Sequence, residues 1–87
     1  MSGILVGEVN HYYNRIMVAV IDLVDPLQVG DQVHFFGRST DFRQVIKSMQ
    51  IEHQAITEAG KGQEIAMKVE RRVRNRDKVY KLSEDEQ

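Results

Sequence analysis

The stretch Asn14-Arg15-Ile16-Met17-Val18-Ala19-Val20-Ile21-Asp22-Leu23 decides the fold class. Read with period two, it sets Ile16, Val18 and Val20 on one face and Met17, Ala19 and Ile21 on the other. Two apolar faces suit a central strand of a barrel or sandwich. The run is also short enough for a helix, but Val18, Val20 and Ile21 are β-branched and favour the extended chain. Asp25-Pro26 then breaks the strand, because proline removes a donor and pushes the residue before it toward extended geometry.

The same period continues outward from this strand. Val29-Gly30-Asp31 predicts a turn, with Gly30 at positive φ, before a strand over Gln32 to Phe36. There Val33 and Phe35 share one face, His34 and Phe36 the other. Gly37 to Asp41 is a loop. Phe42 to Ile51 alternates with Val45, Met49 and Ile51 inward and Gln44, Ser48 and Gln50 outward, while Ile46 sits against the pattern. Glu58-Ala59-Gly60-Lys61-Gly62 is a second turn needing positive φ, at Gly62, and it feeds a strand over Glu64 to Val69. Lys78 to Leu82 is the last strand. Toward the N-terminus, Val6 and Val9 fall out of alternation around Gly7, which predicts a bulge, and Asn14-Arg15 predicts a tight turn.

About six short strands with regular turn signals and no sustained helical period indicate an all-β fold. A small closed or nearly closed antiparallel β-barrel is expected, since an open sheet of this size would leave long edges. Its core is expected to hold Val18, Val20, Val33, Val45, Ile51, Ile65 and Met67. Residues 1–82 form the barrel domain in this reading, and 83–87 a disordered acidic tail.

Composition narrows the chemistry. At 87 residues and 10.1 kDa there is room for one core and none for a large cofactor. The absence of cysteine excludes disulfides, zinc ribbons and thiol catalysis. The longest apolar run, Ile16 to Ile21, is far short of the roughly 20 residues of a membrane span. No basic residue precedes the N-terminal apolar patch, so no secretory signal is read there and a cytoplasmic location is expected.

Candidate catalytic groups do not assemble along the sequence. His11, His34 and His53 lack metal-ligand spacing, so no metal is expected. Ser39, Thr40 and Asp41 share a loop, but no histidine is local and no nucleophile elbow exists. Gly60-Lys61-Gly62 lacks the full phosphate-loop string. The chain is expected not to be an enzyme and to need no cofactor.

The charge, by contrast, is unevenly placed. A net charge of −1 divides into −3 over residues 1–67, +5 over 68–82 and −3 in the tail. The basic block is Lys68, Arg71, Arg72, Arg74, Arg76, Lys78 and Lys81. Such a block is either a solvated face or an electrostatic footprint for phosphate. Arg72, Arg74, Arg76 and Lys78 would line one face if strand geometry held across Glu70 to Lys78, with Asn75-Arg76-Asp77 as the interruption. Tyr12 and Tyr13 are adjacent, so one must face outward and could stack a base.

The order of motifs resembles domain 2 of the translational GTPases, the β-barrel of elongation factor Tu. It runs through Val6-Gly7-Glu8-Val9, Val18-Ala19-Val20-Ile21 and Leu27-Gln28-Val29-Gly30-Asp31-Gln32-Val33. It continues through Val45-Ile46-Lys47-Ser48-Met49-Gln50-Ile51, Ala59-Gly60-Lys61-Gly62 and Lys78-Val79-Tyr80. The chain looks most like stand-alone translation elongation factor-like proteins. A similar barrel sits at the C-terminus of collagenase-like peptidases. Where many members have a glycine-aspartate turn before the last strand this chain has Arg76-Asp77, so Asn75 is assigned the left-handed position. There is no GTPase domain, so the resemblance implies no GTP hydrolysis. It implies a non-catalytic module that contacts RNA or the ribosome through the basic block. The alternative is a protein-interaction module that docks onto a separately encoded enzyme such as a collagenase-like peptidase, which suits a pI near 6.3 better.

Overall fold

A computed structural model describes residues 3–82 as ten strands and the turns between them, with no helix among the described residues. They are β1 (Ile4–Tyr13), β2 (Val18–Leu23), β3 (Leu27–Gln28), β4 (Gln32–Gly37) and β5 (Thr40–Val45). Then come β6 (Met49–Ile51), β7 (Gln54–Ile56), β8 (Glu58–Ala59), β9 (Glu64–Lys68) and β10 (Lys78–Leu82). Eight of them form one antiparallel sheet in the order β5-β4-β10-β1-β2-β9-β6-β7, and β3 pairs with β8 alone. The predicted tail, 83–87, lies outside the described residues.

The all-β antiparallel class matches the expectation from sequence, but the six-strand closed barrel does not. The main sheet has eight strands, and no ladder joins its outer strands β5 and β7. A side chain instead ties β5 to the end of β9. The Gln44 amide on β5 donates to the Lys68 carbonyl at 3.1 Å and accepts from the Glu70 N–H at 2.8 Å. One carboxamide thus does for two strand segments what a backbone rung would do.

The core is built from alternate residues of the long strands. Ala19, Ile21 and Leu23 of β2, Val33 and Phe35 of β4, Ile65 and Met67 of β9 and Val79 of β10 are buried in one cluster. Of the expected core, Val33, Ile65 and Met67 are inside, while Val18, Val20 and Ile51 are half-buried and Val45 is 44% exposed. On β2 the opposite face turns inward, because both faces are apolar and period two alone cannot choose between them. On β5 the buried residue is Gln44, which the alternation had placed outside, and Val45 takes the solvent side. Ile46, just past β5, is 1% exposed and belongs to the main core. The long alternating segment is in fact two strands with a break at 46–48.

The predicted bulge is present. The β1–β10 register shifts between Leu5 and Gly7, and the β1–β2 register shifts between Val9 and His11. Odd spacing would otherwise send Val6 and Val9 to opposite faces, yet both are at most 1% exposed.

Gly30 and Gly62 have φ of 98° and 88°, as their turns required. A Cβ at either site would meet nothing within 4 Å, so the cost of alanine is purely conformational. Left-handed strain of about 1–2 kcal/mol, partly offset by a stiffer unfolded chain, leaves an expected net loss of roughly 1 kcal/mol for Gly30→Ala or Gly62→Ala. Urea denaturation checks this, and unchanged midpoints for both variants would refute it.

Candidate docking surface

Between β9 and β10 the chain leaves the sheet, and the basic block falls largely in this connection. Val69 and Val73 anchor it, at 2% and 1% exposure. Arg72 and Arg74 flank Val73, so both project outward where Val73 points in. The backbone around them is tied down. The Arg74 N–H donates to the Asp77 carboxylate at 2.8 Å, and the Asp77 N–H returns to the Arg74 carbonyl at 3.1 Å. The Arg76 N–H donates to the Val9 carbonyl at 2.6 Å, and the Val9 N–H to the Asp77 carbonyl at 2.8 Å. The left-handed position of this turn is held by Arg76, with φ 75°, and not by Asn75.

Arg72, Val73, Arg74 and Asn75 form one wall of a cleft of about 300 Å³, and His11, Tyr12 and Asn14 form the other. No carboxylate lines it. The remaining basic residues lie elsewhere. Lys68 lines a different cleft with Met17, Gln44 and Lys47. Lys78 pairs with Glu8 across β10 and β1. Lys81 lines a small pocket with Asp31 and Glu58. Arg71 and Arg76 are exposed beside the first cleft's wall. The seven side chains therefore do not converge on one face. Strand geometry does not hold across residues 70–77, and a turn at Asn75-Arg76 interrupts the arginine row where the sequence placed the interruption, leaving Arg72 and Arg74 together in the cleft.

The two tyrosines separate as strand neighbours should. Tyr12 packs against the core and reaches the arginine cleft, whereas Tyr13 is 51% exposed and meets His11 edge-on with ring centres 4.4 Å apart.

Sequence reasoning missed the outer face of β1, β10, β4 and β5. Cross-strand pairing sets Leu5, Tyr80, His34 and Arg43 in one rung, and Glu8, Lys78, Phe36 and Asp41 in the next. His34 Nε2 sits 2.6 Å from Asp41 Oδ1, and the His34 ring packs edge-on to Phe36 at 5.8 Å. Only pairing across strands that are distant in sequence makes this surface, so no local pattern announces it. The three histidines occupy three separate places: His11 late in β1, His34 on this outer face and His53 in the β6–β7 turn. Among the described residues no group of three or more His, Cys, Asp or Glu side chains comes together.

No family model matches the chain. It is 38% identical over 80 residues to an uncharacterised protease of Methanocaldococcus jannaschii, a match covering 91% of this chain and 20% of the relative. It is 31% identical over 86 residues to a collagenase of Porphyromonas gingivalis, covering 97% of this chain and 21% of the relative. The chain thus spans about a fifth of the length of the curated relatives it matches. Two crystal structures superpose on it, both of the C-terminal domain of a Geobacillus thermoleovorans protein described as a U32 peptidase. One gives a TM-score of 0.86 at 26% identity, covering 91% of this chain and 92% of that one. The other, a selenomethionine variant, gives 0.84 at 25% identity, covering 87% and 96%.

These matches overturn the resemblance to translation factors, and with it the reading of the basic block as an RNA or ribosome contact. The order of short motifs that suggested it is generic to small antiparallel β folds, where a V-G-D turn and an A-x-x-G turn serve backbone geometry. The proteins this chain resembles along nearly its whole length are the C-terminal domain of a U32 peptidase and segments of proteases and collagenases, not domain 2 of the translational GTPases.

Proposed function

We propose that this chain is a non-catalytic docking module that packs against a catalytic domain of the U32 peptidase kind. The observation that carries this is the extent of the match: nearly all of this chain corresponds to a fifth of each protease relative. A segment of that size in a protease is an appended domain, and the Geobacillus counterpart crystallised by itself. Among the described residues the core is apolar and the three histidines stand apart from one another, which supports a module without catalytic machinery. A standard interface of about 800 Å² per partner would take only a modest share of the 5779 Å² surface.

Sedimentation velocity of the full chain mixed with a purified U32 catalytic chain that carries no such domain tests the proposal. A 1:1 complex at micromolar concentration is expected, and the 87-residue chain alone should release no peptides from gelatin. Absence of a complex, or gelatin hydrolysis by the chain alone, overturns the reading.

A further inference from the structure

We propose that the cleft between Arg72–Asn75 and the end of β1 is a carboxylate receptor, which takes an acidic segment of the docking partner. The identity of the carrier rests on the docking reading above; the chemistry of the cleft does not. Two guanidinium groups come from positions 72 and 74, on either side of the buried Val73. Aspartate or glutamate at every second position of a partner segment repeats that sequence spacing. Each guanidinium offers a planar fork of donors that matches a carboxylate. The Tyr12 hydroxyl and the amides of Asn14 and Asn75 add neutral donors to the same walls.

Charge makes the cleft selective. No acidic side chain lines it, and among the described residues neither Arg72 nor Arg74 is in an ion pair. The wall carrying them is fixed by the Arg74–Asp77 and Arg76–Val9 backbone bonds, so little ordering is needed on binding. The connection could otherwise have served a long polyanion, but the three lysines of the block do not extend the cleft: Lys78 is neutralised by Glu8, and Lys68 and Lys81 face other hollows. Residues 1–67 carry −3 and would repel a nucleic-acid strand beyond the cleft. A short acidic segment meets Arg72 and Arg74 in the cleft, with Arg71 and Arg76 exposed beside its wall.

The test uses fluorescence anisotropy of the full chain at low salt with a labelled peptide bearing glutamate at every second position. Binding is expected, with at least ten-fold loss in the double variant Arg72→Gln/Arg74→Gln and no loss in Lys47→Gln/Lys68→Gln, which alters the other cleft. Thermal midpoints within two degrees or so would show that both variants are folded. Equal binding by the arginine variant and the unaltered chain overturns the proposal. So does tighter, arginine-dependent binding of a single-stranded RNA of the same charge, or arginine-dependent self-association, which would give the cleft to a second copy. With the U32 catalytic chain, the arginine variant should form the complex at least ten-fold more weakly. An undiminished complex refutes the cleft while sparing the docking reading. Arginine-dependent peptide binding without any complex refutes the docking reading while sparing the cleft.

Discussion

Phe35→Ala should destabilise the protein by about 3–5 kcal/mol, while Phe36→Ala, one residue away, should cost less than about 1 kcal/mol. Phe35 is fully buried, opposite Phe42 on β5 and Val79 on β10, and its ring stacks on Phe42 with centres 5.1 Å apart and an angle of 18°. Truncation removes that contact and leaves a cavity that strands on both sides prevent from collapsing. Phe36 points out of the same strand and is 40% exposed. A domain of this size has a total stability near the low end of about 5–15 kcal/mol, so the Phe35 variant should melt roughly 15–30 °C lower or fail to fold at 37 °C. Urea and thermal denaturation of the pair decide the matter. Equal losses in the two variants would mean that the inward face of β4 has been assigned wrongly.

Gln44→Leu should be the costliest polar substitution, at about 2–4 kcal/mol. Leucine keeps the volume and burial of a residue that is 5% exposed, but strands the Lys68 carbonyl and the Glu70 N–H. Each backbone group left without a partner costs about 1–3 kcal/mol. Amide hydrogen exchange gives a readout specific to the bond: the Glu70 amide should be protected in the native protein and exchange at least ten-fold faster in the variant. Unchanged exchange at Glu70 would show that the Gln44 amide does not hold it.

The two substitutions also mark where the sequence can be read and where it cannot. On β4 and β9 the polar residues fall on one face only, so alternation alone identifies Val33, Phe35, Ile65 and Met67 as core. On β2 Val18 and Val20 are as apolar as Ala19 and Ile21, and the choice of face is made by the strands on either side. Gln44 is buried for its hydrogen bonds, which hydropathy scores as a reason to be outside. Turn geometry was legible through Gly30 and Gly62, but Met17, Glu52, His53 and Arg76 also take positive φ with no glycine to signal it. The arginine cleft was half visible. The Arg72–Arg74 pairing follows from spacing, whereas the meeting with His11, Tyr12 and Asn14 depends on the bulged β1 running beside the connection.

The position of β10 has a consequence for how the chain is made. It is the last of the ten strands, yet it lies inside the sheet, with β4 on one side and β1 on the other. It is also the only ladder among the described residues that joins the β4–β5 hairpin to the five strands from β1 to β7. Until Lys78 to Leu82 clear the ribosome, a nascent chain holds two incomplete pieces with unpaired edges facing each other across an empty slot. Folding must wait for the final strand, since contacts at the greatest sequence separation, such as Ile4 with Lys81, close the structure last. A chain cut before Lys78 would therefore keep nearly all its core residues and lack the strand that joins the two pieces. An extended segment from another protein could slip into that slot, so the growing polypeptide is most open to aggregation before β10 has paired.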